Sequence, residues 1–487
     1  MSNQFIPIER EQPFVIPVQD WLDPDHLARF IVSIVDSLDV SALESADRGG
    51  GSAPDPPKRM LALLFYGYAT GVFTSRKLEQ GTDELIPMLY ITGNPHPDHD
   101  SINTFRKRFW VEMEDLLTQL LVRASAVGVL RLADVSLDGT KPVLASASLS
   151  TGSEAEGRHA NASKHTAMRW GDANRREEPW RAEVQALLKK AETAGDQEPV
   201  AGRRVGEEIA RRQAPLPLIG DVKTELEARA KARDDAEKAA DDETMAPRQA
   251  REKQRGRKRG GRAPKPPEPG ARERDHVNVT DPESRIMPVS GGGFEPCDNA
   301  QARVEHASRL IVEQHVTQHP NDRQEMTPTL AHLGALPQTL GHVKTLVGET
   351  GYCRAANAEA CEQVNIIPLL AGARGTHPPS PEARFAEAGV APPATASPMA
   401  RMQHRLKTVD GKALDAKRKS TVEPVFGILK EVMGFRQFLL RGLTAVSGEW
   451  TLVCLAYTVK RLHVLAGSVC PKSRDGHKNR EQHQANG

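Results

Sequence analysis

Three carboxylates stand where metal-dependent chemistry would need them. Asp138 closes a β-tending apolar run that starts at Leu130 and is followed by Gly139-Thr140. Glu349 closes a second such run, Thr345-Leu-Val-Gly-Glu349, ahead of Thr350-Gly351. Glu423 lies in Thr421-Val-Glu-Pro-Val-Phe-Gly427, where Thr421 is expected to cap a helix and Glu423 to occupy its first turn. Singly, each has an ordinary reading, Asp-Gly as a turn and a first-turn Glu as a partner of the helix dipole. Together they give two strand-end carboxylates and one helix carboxylate. Converging, such oxygens can hold a pair of Mg²⁺ ions about 3.5–4 Å apart, which activate a water or a 3′-OH and stabilise the leaving oxygen at a phosphodiester. His159 and His165, six residues apart, read as polar surface or DNA contacts rather than metal ligands.

The elements that must position these groups follow from patterning. Up to about Val129 the chain reads as helical: Asp23-Pro24 supplies a start, and Leu27, Phe30, Ile31, Ile34 and Leu38 share one face. Met60 to Tyr68 is apolar all round and predicts a buried helix. A short helix from Thr74-Ser75 and a long one from about Ser101, with Arg106, Lys107 and Arg108 in its first turns, are compatible with a helix-turn-helix-like DNA reader. An ordinary helical bundle with a solvated basic face explains them about as well. Strands are expected at 130–138, 285–289, 302–305, 310–316, 342–347 and 366–370, with helices near 323–333, 354–363, from 421 onward and over 450–465. Alternating strands and helices favour an α/β fold, a mixed sheet with flanking helices.

Residues 166–274 break this texture. They are rich in Glu, Lys, Arg and Ala, with helical pieces at 181–192 and 222–242, and end in a run, Arg248 to Arg262, of six Arg and two Lys against one Glu. A charged hairpin of helices with a disordered basic tip is expected, closed by a proline-rich linker over 263–270. A structural coiled coil over 181–242 ranks last, since heptads are not sustained.

Composition agrees. Of 487 residues 38% are hydrophobic and 26% charged, so long stretches must lie outside a core. The net charge of +1 argues against a polyanion partner only if charge is evenly spread. It is not: 401–487 carry 16 basic and 7 acidic side chains, leaving a carboxylate surplus in 1–400. Neither a secretory signal nor a membrane span is visible, and five cysteines show no C-x-x-C pair, so a reducing cytoplasm is expected.

The sequence resembles the bacterial insertion-sequence transposases with a DDE catalytic triad, in the RNase H-like superfamily. The resemblance rests on Ser136-Leu-Asp-Gly-Thr-Lys141, His159-Ala-Asn-Ala-Ser-Lys-His165, the stretch from Asn278 to Gly293, Asn299-Ala-Gln301, Gly351-Tyr352, the Glu423 motif and Gly434 to Gly442. Tyr66-Gly-Tyr68, Ser75-Arg-Lys-Leu78 and Ile102-Asn-Thr-Phe-Arg106 resemble the helical domain preceding the core in this branch. The resemblance implies an RNase H-like mixed sheet interrupted by the charged insertion. The expected segments are a helical DNA-binding domain (1–129), two parts of the core (130–165 and 275–470), the insertion (166–274) and a disordered tail (471–487). It implies Mg²⁺-dependent cleavage and transfer of DNA strands at terminal inverted repeats, with Asp138, Glu349 and Glu423 holding two ions, which Mn²⁺ can replace. Expected phosphate contacts are Arg418, Lys419, Lys430 and Lys141, together with Arg106, Lys107 and Arg108. Expected partners are inverted-repeat ends, target DNA and a second copy in a homodimer, with no membrane and a nucleoid-associated location.

Three departures from the family pattern stand out. Glu349 occupies the second aspartate position, one methylene further out, about 1.5 Å. Residues 142–158 intervene between Lys141 and the His159 motif, and the tyrosine usual before Arg418-Lys419 is missing. An impaired copy that binds DNA without cutting is the alternative reading.

Overall fold

The computed structural model describes residues 17–46, 55–144, 167–194, 215–255, 268–289, 292–372, 389–393 and 395–469. Most of the 142–158 insertion, the His159–His165 motif, the basic run beyond Arg255 and the 471–487 tail lie outside the described residues. The chain forms two compact units, one of residues 1–140, 299–436 and 444–487, the other of 141–298 with 437–443.

The first unit begins with helices α1 (Leu27–Ser37), α2 (Ser41–Ala46), α3 (Pro57–Thr70), α4 (Ser75–Glu84), α5 (Ile86–Thr92), α6 (His99–Arg108) and α7 (Trp110–Ala126). Local chemistry sets their starts: Pro57 at the head of α3, the Thr74 hydroxyl accepting from the Lys77 amide, and Asp98 accepting from the Ser101 amide at 2.8 Å. As its apolar run predicts, α3 is buried from Met60 to Ala69. The long helix expected from Ser101 is in fact two, because the backbone leaves helical geometry at Phe109. The break lets Trp110 lie on Gly448, where any Cβ would fall 2.1 Å from the indole ring. These helices share the unit of the sheet; Lys460 donates to the Ala69 carbonyl at 2.7 Å.

After strand β1 (Leu132–Thr140) the chain builds the second unit: β2 (Val143–Leu144), β3 (Ala167–Arg169), α8 (Trp170–Ala194), α9 (Pro215–Arg255), β4 (His276–Asn278), β5 (Arg285–Pro288) and β6 (Phe294–Cys297). The charged helices expected here form, α9 continuing through Arg248–Arg255 of the basic run, and Ala173, Ile219, Val222 and Leu226 pack with Val277 of β4 into a small core, flanked by Trp170 and Trp180. Residues 275–298, expected to continue the catalytic core, belong to this unit instead: β5 pairs with β6, β6 with β2, and β2 with the short strand Gln437–Phe438, in a separate four-stranded sheet.

Asp298 ends that sheet as a buried carboxyl whose Oδ1 has no hydrogen-bond partner. Burial, reinforced by the charge of Asp281 and opposed by Arg285, pushes it up from 3.8 to about 7. A folded-state pKa above the unfolded value means that stability from this group is full below pH ~4 and is lost as pH rises through ~7. The loss is on the order of 4 kcal/mol across that window. Asp298→Asn is therefore expected to raise the thermal midpoint progressively more from pH 5 to pH 8 in scanning fluorimetry. A gain that does not change with pH would sink this account.

The first unit resumes with β7 (Asn299–Glu305), β8 (Ile311–Thr317), α10 (Met326–Ala335), β9 (Gly341–Gly348), α11 (Ala355–Gln363), β10 (Ile367–Leu370), α12 (Pro398–Arg405), α13 (Val409–Gly427) and α14 (Leu443–Val469). Its five-stranded sheet has the order β10-β9-β1-β7-β8. Strands β10, β9 and β1 run parallel, while β7 lies antiparallel to both β1 and β8. Helix α13 packs across β1, β7 and β9. Helix α14 is anchored to the sheet by Trp450, whose Nε1 donates to the Gln301 carbonyl at 3.0 Å, and by Gln314, which donates to the Thr451 hydroxyl at 2.8 Å.

Candidate active site

Strand pairing creates the site. Leu137 on β1 is registered with Gly348 on β9 in parallel, so the next residues come side by side: Asp138, still inside β1 and paired with Ala302 of β7 rather than closing the strand as expected, and Glu349, just past the end of β9. Neighbouring strands run about 4.8 Å apart, which puts two acids at one edge of the sheet. Asp138 Oδ1 accepts from the Gly139 amide at 2.8 Å, which fixes its rotamer. Gly348 is required at this register: a Cβ there would fall 2.9 Å from a Leu370 methyl group and 3.1 Å from one of Leu137.

A third acid joins them that sequence reasoning missed. Asp322, on the turn between β8 and α10, accepts through Oδ1 from Gln301 Nε2 at 2.6 Å and Asn299 Nδ2 at 2.9 Å. A Cβ on Gly139 would stand 2.9 Å from Asp322 Oδ1, and one on Gly351 would stand 3.1 Å from Oδ2 and 3.7 Å from Glu349 Oε1. The two glycines bracket Asp322 and let the acids crowd. The signal lay in β7, where Asn299 and Gln301 alternate with Ala300 and Ala302; buried amides on one strand face require a polar partner.

The crowding has an electrostatic signature. Burial first, then the charges of Glu349 and Asp322, push the Asp138 carboxyl up to about 7 against the opposing pull of Arg418 and the Gly139 amide. Oxygen ligands crowded until one resists ionising fit a hard divalent cation, whose charge relieves the repulsion.

Glu423 is placed differently from expectation. Thr421 does not start a helix: α13 begins twelve residues earlier with Thr408 as its cap, and the Thr421 hydroxyl donates to the Lys417 carbonyl inside it. Glu423 therefore sits in the last turns of α13, exposed, and makes no hydrogen bond or ion pair among the described residues. A π-helical turn, Ile428–Val432, follows and carries Lys430, which burial pulls down and Asp138 pulls up.

The expected phosphate contacts divide. Arg418 is buried, with Nε 3.7 Å from Asp415, while Lys419 is exposed. Lys107 and Arg108 are exposed on α6. Arg106 is not available to DNA: its guanidinium is buried, donating to the Tyr68 hydroxyl at 3.1 Å and to the Phe73 carbonyl at 2.9 Å. An arginine about two turns along an amphipathic helix here serves the bundle. Lys141 is half-buried in the second unit.

Two family models match the chain. One described as Transposase DDE domain covers residues 390–463, and one described as Transposase domain (DUF772) covers residues 17–108. These two matches indicate an insertion-sequence transposase with a DDE domain and an N-terminal transposase domain. The DUF772 match falls on α1 to α6, and the DDE match on α12, α13 and most of α14, the helices that carry Glu423 and clamp the sheet. The five-stranded sheet is the RNase H-like core of this transposase domain, and residues 141–298 of the second unit are inserted between its first and second strands in the chain. No curated protein and no solved structure matches the chain. Transposases of this kind use divalent metals on DNA. No helix among the described residues is long and apolar enough to cross a membrane.

Proposed function

We propose that the chain binds the terminal inverted repeats of an insertion sequence and cuts and joins DNA strands there with two Mg²⁺ ions, for which Mn²⁺ can stand in. The observation that carries this reading is the convergence of Asp138 and Glu349 on adjacent parallel strands, with Asp138 driven toward neutrality by burial first and by its acidic neighbours second. Asp138 on β1 and Glu349 just past β9 are the ligands from the sheet, Glu423 the ligand offered by α13, and Asp322 either joins them or holds the pocket open. When bound, the ions supply a nucleophile at neutral pH and neutralise the charge developing on the leaving oxygen. The protein's own part is positional. The Gly139 amide fixes the Asp138 rotamer, Asn299 and Gln301 fix Asp322, and Arg418 and Lys430, both within the field of Asp138, meet the phosphate that enters beside it. Lys419, Lys107, Arg108 and Lys141 extend the basic contact along the duplex, and a homodimer brings two ends together in the nucleoid of a bacterial cell.

Glu349 at the second aspartate position favours one other reading, a copy that binds ends without cutting them. A carboxylate displaced by about 1 Å can cost about 10²-fold in rate. Nicking of a DNA that carries the flanking inverted repeats, compared between the natural protein and Glu349→Asp, separates the two. Comparable rates support the cutting enzyme, and nicking by the Asp variant alone supports the impaired copy.

A further inference from the structure

Beside the acid edge the first unit holds a second polar cluster of different chemistry. Glu313 and His315 are two apart on β8 and so project from the same face, and His332 reaches them from α10. Glu313 Oε1 lies 2.8 Å from His315 Nδ1 and 2.8 Å from His332 Nδ1, and the three donor atoms all lie within 4.8 Å of one another. The Glu313 side chain is 4% exposed, and its Oε2 has no hydrogen bond; Arg303 Nε stands 3.3 Å away, off the hydrogen-bonding direction. His315 Nε2 points to Glu325 Oε2 at 3.0 Å, and Glu325 Oε1 in turn meets His319 Nδ1 at 2.7 Å.

We propose that Glu313, His315 and His332 form a zinc site, separate from the acid edge, that clamps β8 to α10. Two imidazole nitrogens and one carboxylate oxygen suit a borderline ion such as Zn²⁺ rather than Mg²⁺, which takes oxygen ligands. Ligand distances of about 2.0–2.2 Å need the donor atoms only slightly further apart than the 2.8 Å found between Glu313 and each histidine. Glu325 supplies the carboxylate behind His315 that a metal-bound imidazole characteristically has. Charge also allows it: the two glutamates outnumber the one arginine, so a dication meets a net negative shell. His332 is 51% exposed, which leaves a way in from solvent and a fourth position for water. The clamp has a structural consequence, because the turn it closes, from Thr317 to Glu325, is the one that presents Asp322. The proposal stands whether or not the acid edge cuts DNA.

The full chain, stripped with a chelator and titrated with Zn²⁺ alone, is expected to bind one equivalent more than His332→Ala does, and to rise in thermal midpoint where the variant does not. Co²⁺ in place of Zn²⁺ is expected to give visible d–d absorption in the natural protein that excess Mg²⁺ leaves unchanged. Glu325→Gln is expected to weaken zinc roughly 10–100-fold without abolishing it. His332→Gln serves as a second variant at the same exposed position, should the alanine protein prove unstable. Equal zinc stoichiometry and affinity in the natural protein and the His332 variants, or no cobalt spectrum at all, overturns the site and leaves a metal-free network of hydrogen bonds.

Discussion

Asp138→Asn is expected to reduce strand nicking at inverted-repeat ends by about 10³-fold or more, while leaving the protein folded. The size follows from what the group does: one preorganised interaction at a developing charge is worth about 10²–10³-fold, and loss of a ligand shared by two ions removes more than one such interaction. The fold is spared because the amide is isosteric and still accepts from the Gly139 amide. In metal-free buffer above pH ~7, stability should even rise, since a carboxyl pushed up to about 7 by burial, Glu349 and Asp322 is replaced by a neutral group. Activity falling while the thermal midpoint holds or climbs is the signature of a functional acid in a crowded pocket. End-labelled DNA resolved on a denaturing gel, beside a thermal scan of each protein, reads both. A variant that nicks at the natural rate removes Asp138 from the chemistry. Asp322→Asn belongs in the same experiment: a loss comparable to that of Asp138→Asn makes Asp322 a ligand, and a loss below about tenfold makes it a spacer held by Asn299 and Gln301.

How far this pocket could be read from sequence depends on which residues one follows. Asp138 and Glu349 were legible because each ends an apolar run before Gly or Thr-Gly, and strand ends are where a sheet presents side chains to solvent. That the two runs are neighbours in parallel register was not legible, since pairing between residues more than two hundred positions apart leaves no local trace. Asp322 was missed because Pro320-Asn-Asp322 is an ordinary turn sequence and its place among the acids is set by two amides from another strand. The Thr421 cap failed for a different reason. Thr is a favoured cap residue, but Thr408 takes that place upstream, and packing on β1, β7 and β9 carries the helix straight through. Arg106 misled because an arginine's charge says nothing of whether a tyrosine hydroxyl and a free carbonyl lie within its reach. The insertion was located by its charge, but its strands, built from 275–298, carried the texture of the core and were assigned to it.

Arg303→Met is expected to cost about 3–5 kcal/mol, the largest stability loss of any single substitution considered. Arg303 is fully buried on β7, with the side chains of Asn299, Gln301 and Glu305 also buried along that strand. Its guanidinium donates to Gln301 Oε1 at 2.9 Å and to the Thr329 hydroxyl through Nε at 3.0 Å and again through its terminal nitrogen, and it stands over the Tyr352 ring. It is also the only arginine paired with Glu313 among the described ion pairs. Burial raises the Glu313 carboxyl, yet Arg303, with His315 and His332, outweighs burial and holds it down at about 2. Methionine fills the volume but leaves that carboxylate buried without the guanidinium paired with it, and removing one partner of a buried pair is far costlier than replacing both. At roughly 2–4 °C per kcal/mol for a large domain, the midpoint should fall by about 10 °C in metal-free buffer. The double variant Arg303→Met with Glu313→Leu should recover most of the loss, giving a coupling energy well above the ~0.5 kcal/mol expected of independent sites. Activity separates the two roles of the arginine. It orients Gln301, whose other end holds Asp322, so the double variant, though refolded, is expected to nick more slowly than the natural protein. A single variant that loses less than about 1 kcal/mol, or a double variant that nicks at the natural rate, breaks the link drawn here between the buried pair and the acid edge.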